Sequence, residues 1–258
     1  MRKLVVVLVG TLILSGVTAV PAIAKTSLSI RIGPVRSLAH GAAIKVRFTY
    51  ACAPKYGGSR GYAIVAFDVT QRLRPTATAT GTDVGNIENL TCDNRAHSDH
   101  HIVASTSKAF RAGRKLRVTG RLLACDAAEL HCKDPVIRKT LRLRHTSRSD
   151  PANAPLDARA MLKRNGEVVV VLGRGCPAGG FANANLSMYE RVRRGRTARA
   201  EGIADASECR QQGIKVLLAR EPVRIRKGIA YVVGNVFTCE ANEQNCQTEV
   251  LEGTLKIS

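Results

Sequence analysis

Tryptophan is absent from the 258 residues, and rings are scarce, with 5 Phe and 5 Tyr. So few aromatic platforms speak against specific readout of unpaired bases, which stack on such side chains. Acidic residues number half the basic ones, 20 Asp and Glu against 40 Lys and Arg. Beyond the N-terminal segment no apolar run is long enough to span a bilayer. The H-E-x-x-H zinc helix and the phosphate-gripping glycine loop are missing. Both of these sequence signatures of catalysis are thus lacking. The expectation is a non-enzymatic protein with no cofactor.

What is present is a pattern of eight cysteines in two sets of four. Cys52, Cys92, Cys125 and Cys132 recur as Cys176, Cys209, Cys239 and Cys246, at intervals of 40, 33 and 7 and then 33, 30 and 7. The repeat extends beyond them. Leu116 to Leu143 aligns without a gap on Ala230 to Ile257 at an offset of 114, pairing Val118 with Val232 and Gly120 with Gly234. Upstream, Ile44, Val46, Phe48 and Cys52 match Val168, Val170, Leu172 and Cys176 at an offset of 124. Loops absorb that difference of ten residues more readily than strands do. Two copies of one module are expected.

Met1 to Ala24 has the form of a secretory signal peptide: basic Arg2 and Lys3, an apolar stretch from Leu4 to Val20, and a small-residue Ala22-Ile23-Ala24 cleavage site. Export permits disulfides. The close cysteine pairs are C-x6-C, unlike the tighter knuckles of structural zinc sites. Each set of four allows three pairings. The pairing chosen is Cys52–Cys92, Cys125–Cys132, Cys176–Cys209 and Cys239–Cys246. On the chain-entropy estimate the long loops contribute about 4 kcal/mol each and the short ones about 2.5 kcal/mol.

Alternation at period two dominates the chain. Ile44, Val46, Phe48 and Tyr50 alternate with Lys45, Arg47 and Thr49, a half-buried strand running up to Cys52. Similar short runs cover 65–69, 101–105, 116–125 and 136–144, between Gly, Pro, Asn and Asp clusters. Ala158 to Arg164 is the best helical window, and it is weak. About seven strands in some 115 residues predict an Ig-like sandwich. The absence of tryptophan excludes the Trp-on-disulfide core of antibody domains. The expected organisation is a signal peptide over 1–24, an Ig-like domain over 25–144, a Pro-containing linker over 145–157 and a second Ig-like domain over 158–258, all-β throughout with two disulfides in each domain.

Four elements together resemble a group of uncharacterised secreted Ig-like domain proteins of actinobacterial type. They are the strand ending in Cys52, the Cys92-Asp93-Asn94 turn before a His-bearing strand, the Phe110-Arg111-Ala112-Gly113 turn, and the Cys125-x6-Cys132 hairpin. The second copy keeps its cysteines and hairpin but has no Asp-Asn turn and no histidine there. The resemblance implies fold and secretion, and no activity. A looser similarity to enediyne-binding apoproteins fails on cysteine spacing and implies no ligand.

Two features could carry binding chemistry. His97, Asp99 and His101 share one face of an extended strand and could hold zinc or copper; the alternative is a solvated polar strand. Charge is the second. Residues 25–144 carry a net +13 and residues 145–258 a net +5, which directs the first module towards polyanions. Arg111, Arg114, Lys115, Arg117 and Arg121 run from a turn into a strand, and Arg138, Arg142 and Arg144 share a face of the next. Arg191, Arg193, Arg194 and Arg196 form a second basic tip around Gly195.

The expectation is a secreted binding protein that engages an anionic envelope polymer or an extracellular protein through basic sheet faces, with no specific nucleic acid. The alternative is a small-molecule or metal carrier, using a sandwich cleft or the His97/Asp99/His101 face. Oligomeric state stays open.

Overall fold

The computed structural model describes residues 28–57, 61–84, 90–145, 156–173, 180–204, 209–210, 213–220, 223–240 and 245–258. The expected signal peptide and most of the expected linker lie outside them. No described helix is long and apolar enough to cross a membrane.

The chain is all-β, as the alternation predicts. The first half contains β1 (Ser29–Leu38), β2 (Ala43–Ala51), β3 (Gly61–Arg74), β4 (Ala77–Val84), β5 (Ala96–Ser105), β6 (Lys115–Asp126), β7 (Cys132–Lys133) and β8 (Val136–Arg142). The second contains β9 (Ala158–Leu162), β10 (Val168–Leu172), β11 (Phe181–Arg191), β12 (Thr197–Ala204), β13 (Cys209–Arg210), β14 (Gly213–Arg220), β15 (Gly228–Cys239) and β16 (Gln247–Ile257). The window 158–164, weakly helical in sequence, is strand β9. Pairing to β10 on one side and to β16 on the other outweighs its local preference.

In place of two separate layers, each half has one wrapped sheet. The first runs β1-β2-β5-β4-β3-β6, with β8 beyond β6. It closes where Arg144 lies parallel to Arg36: Ser37 N–H donates to Arg144 O and Arg144 N–H to Val35 O, each at 3.0 Å. The second runs β9-β10-β14-β12-β11-β15-β16 and closes by the parallel pair Ile257 and Ala160, a seven-stranded barrel. The strands that would leave a sandwich open, β4 and β5, are paired from Gly81–Ser105 to Val84–Ile102. Closure removes exposed edges.

The register bears out the repeat. Leu116 faces Leu141 and Gly120 faces Ile137. Ala230 faces Leu255 and Gly234 faces Leu251. Both glycines are forced by close approach. A Cβ on Gly120 would sit 2.7 Å from the Phe67 ring, and one on Gly234 would sit 1.9 Å from Asn185 O.

Ile44, Val46, Phe48, Val65, Phe67, Val118 and Leu122 fill the first barrel. Val168, Val170, Leu186, Met188, Val216 and Val232 fill the second. Burying each such side chain contributes roughly 1.5–3 kcal/mol. Three expected disulfides are present, Cys52–Cys92, Cys125–Cys132 and Cys239–Cys246. The fourth, Cys176–Cys209, falls outside the described residues.

A third apolar cluster joins the halves. Leu38, Ala39, Ala42, Ala43, Ile102 and Ala104 of the first meet Tyr189 and Tyr231 of the second. A short antiparallel bridge pairs Lys108 with Arg196. There Ala109 N–H donates to Gly195 O at 2.6 Å and Thr197 N–H to Ser107 O at 3.3 Å.

Candidate anion-binding surfaces and the module seam

Strand parity gives each barrel an outward face on the same three strands. In the second module this face carries Tyr189, opposite Tyr231, and Val233, opposite Glu252. It packs on the first module, so both tyrosines are buried despite their outward parity. The matching residues of the first module, by register, are Thr70 opposite Arg117 and Thr119 opposite Arg138. That face is open, and its cations stand in rows. Lys115 faces Arg142 and Arg117 faces Thr140; these three cations and Arg138 are all exposed.

Not every arginine expected on this stripe is available. Arg121 is ion-paired to Asp134, whose hydrogen bond and charge push the guanidinium up. Arg114 donates to Leu73 O at 3.1 Å. The Arg144 backbone belongs to the barrel closure. On β3, exposed Arg72 and Arg74 extend the outward row from Thr70 towards the seam.

The second basic group lies elsewhere. Arg191, Arg193, Arg194 and Arg196 cluster at the seam, where Arg191 donates to His40 O at 3.3 Å. Arg111, from the first module, meets Arg191 and Arg194 there across a shared cleft.

The proposed metal ligands are not assembled. His97, Asp99 and His101 do share a face, but the register sets them opposite Tyr50, Phe48 and Val46, on the inward side. His101, 3% exposed, is wedged edge-on between the Phe48 and Phe67 rings. His97 lies 2.7 Å from Asp93 and stacks on Tyr50, and Asp99 accepts from the His100 N–H at 2.7 Å. Among the described residues no three His, Cys, Asp or Glu side chains lie together as a metal site. His101 is buried, whereas the side chains of His97 and Asp99 stay 30% and 39% exposed. Alternation identified one face, and cross-strand register buried its His101 end.

The polar centre that sequence reasoning missed is at the seam. Lys45 Nζ donates to Glu252 Oε1 at 3.3 Å, and His100 Nε2 donates to Oε2 at 2.9 Å. Burial tends to raise the Glu252 carboxyl. The His100 hydrogen bond, the charges of Lys45 and His100, and the Tyr231 hydroxyl outweigh burial and bring it down to about 2. One signal was available: at the offset of 114 Glu252 stands where the first copy has Arg138, a charge reversal.

A second pair of matched positions pins a turn in each module. Buried Gln71 clasps Arg111, accepting from its N–H at 2.6 Å and donating to its carbonyl at 2.9 Å. Glu190 stands in the same place and accepts the Arg226 N–H at 2.9 Å. Burial pushes its carboxyl up, against the lowering effect of the Arg226 N–H and charge.

No family model matches the chain, and no curated protein does. Solved structures align over most of its length with little agreement. A conserved domain protein from Bacillus anthracis is 9% identical, with a TM-score of 0.32, covering 89% of this chain and 87% of the other. The YadV chaperone is 12% identical, with a TM-score of 0.27, covering 89% and 98%. The collagen adhesin of S. aureus is 8% identical, with a TM-score of 0.18, covering 91% and 94%. Agreement this low carries no argument.

Proposed function

We propose that this is an extracytoplasmic, non-catalytic binding protein of two tandem Ig-like modules that holds an anionic polymer on the outward face of β3, β6 and β8. The observation that carries the proposal is the cationic row itself. Lys115, Arg117, Arg138 and Arg142 are exposed on two neighbouring strands. Residues two apart along a strand are about 6.8 Å apart and strands about 4.8 Å apart, a spacing suited to successive charges on an envelope polymer. Asp68 stands opposite Thr119, and Asp134 is engaged by Arg121.

The ring order supports the Ig-like reading. Strands β1-β2-β5 correspond to A, B and E of that fold and β4-β3-β6-β8 to C′, C, F and G, and the second module repeats the order. Three disulfides, together with a signal-like N-terminus, support an oxidising compartment.

Retention on immobilised heparin over a salt gradient tests the proposal. Replacing Lys115, Arg117, Arg138 and Arg142 by Ala is expected to reduce the salt slope by about 3, at roughly 0.7–0.9 for each charge removed. Elution of this variant together with the parent protein would overturn the reading.

A further inference from the structure

The seam holds a cleft of about 520 Å³ lined by side chains from both modules. Arg74, Lys108 and Arg111 come from the first and Arg191 and Arg194 from the second; Leu73, Ala77 and Ala109 supply apolar wall. No carboxylate lines it, and none of the five cations has an ion-pair partner among the described residues. A second cleft of about 340 Å³ adjoins it, with Arg111 and Arg191 lining both and His40 and His145 on its far side.

Five like charges converging from two modules repel one another, so their convergence needs a cause. The covalent path between the modules does not impose it, because the cations sit on three separate segments. Backbone geometry holds the 107–111 and 193–197 segments together. The Ala109–Gly195 and Thr197–Ser107 hydrogen bonds fix the Lys108 strand against the 193–195 turn. Gln71 clamps the Arg111 backbone from both sides. Arg194 adopts a left-handed conformation at φ 60°, which non-glycine residues occupy at a cost and which gathers at functional sites. A backbone fixed before the ligand arrives leaves chiefly side-chain freedom to be lost on binding. The volume lies within the roughly 300–1,000 Å³ usual for small-molecule sites.

We propose that this cleft binds a compact oxyanion bearing two or more phosphate or sulfate groups, and that the bound anion clamps the two modules together. Guanidinium groups suit this chemistry because they present paired donors to tetrahedral oxyanions. A single monovalent anion would leave most of the five cations uncompensated. The four cations that carry the polymer reading, Lys115, Arg117, Arg138 and Arg142, take no part in it, and Arg74, at the end of the β3 row, borders the cleft.

Calorimetric titration of the purified chain with inorganic pyrophosphate at low salt tests the proposal. One saturable site per chain is expected, with orthophosphate at least tenfold weaker and a rise in the thermal midpoint on saturation. Lys108→Ala and Arg194→Ala are each expected to weaken pyrophosphate at least tenfold. Arg74→Ala should do the same. Lys108→Ala and Arg194→Ala leave heparin retention largely intact. The Lys115→Ala, Arg142→Ala double variant should bind pyrophosphate as the parent does. Undiminished binding in the cleft variants, or heats that never saturate, would overturn the assignment. So would loss of pyrophosphate binding in the outer-face variant, which would move the anion to the polymer face.

Discussion

The outward face on β3, β6 and β8 and its counterpart on β11, β15 and β16 match by register and do opposite things. Where the second module presses this face onto its neighbour, the positions hold Tyr189, Tyr231, Val233 and Glu252. Where the first module leaves it open, they hold Thr70, Arg117, Thr119 and Arg138. The inward sets stayed apolar in both copies, because every barrel must fill its core. Only the outward residues tracked whether the face was covered. The reverse contrast holds on the other side. Lys45 and Ile102 of the first module lie under the seam, whereas their counterparts Val169 and Leu217 belong to a face on which Met161 and Leu217 are exposed.

If cover explains this divergence, exchanging residues between copies should be costly in one direction only. Tyr231→Arg gives the buried face the residue of the open one. It removes a fully buried ring and sets a guanidinium against Ala39 and Ala42. The expected loss is about 3–5 kcal/mol of seam stability, seen as two separate unfolding transitions in calorimetry. The reciprocal Arg117→Tyr should stay within about 0.5 kcal/mol. Equal costs in both directions would refute the comparison.

The Glu252 centre gives the next effect, and its sign follows from the depressed carboxyl. A group whose pKa is lowered by folding stabilises above its ordinary range and loses that contribution as pH falls through the folded value. The seam should therefore hold above about pH 4.5 and weaken as pH falls towards about 2. Glu252→Gln should flatten this dependence in thermal midpoints taken across that window. Glu252→Arg, which copies Arg138, faces Lys45 with like charge, and Lys45→Glu should restore much of the loss.

Glu190 predicts the opposite slope on a smaller scale. Its carboxyl is raised by burial, so its contribution is greatest below the ordinary carboxylate range and declines as pH rises through the raised value. Glu190→Gln restores the amide found at Gln71, which makes two hydrogen bonds to its turn. It should gain about 1 kcal/mol at neutral pH, read by denaturant unfolding. A loss at neutral pH would show that the two turns are pinned differently.

Much of the architecture was legible in linear spacing. The gapless offset of 114 reappears as matching registers on β6–β8 and β15–β16. The C-x6-C bridges close hairpins whose ends are neighbours in sequence. His97, Asp99 and His101 show where legibility stopped. Alternation grouped them, but their direction was set by pairing with Tyr50, Phe48 and Val46 on a strand some fifty residues away. Barrel closure was likewise hidden, because it depends on a parallel contact between Arg36 and Arg144. The β9 segment offers too little local pattern to oppose a helix without its neighbours.

Duplication, β character, the spacing of the bridges and the basic excess follow from order along the chain, since each is a property of neighbouring residues or of simple composition. Which outward face was covered, where His101 pointed and which arginines converged follow from packing in three dimensions. Two barrels bury a shared face only when non-local segments such as 38–43, 189 and 231 meet, and no linear period encodes that meeting.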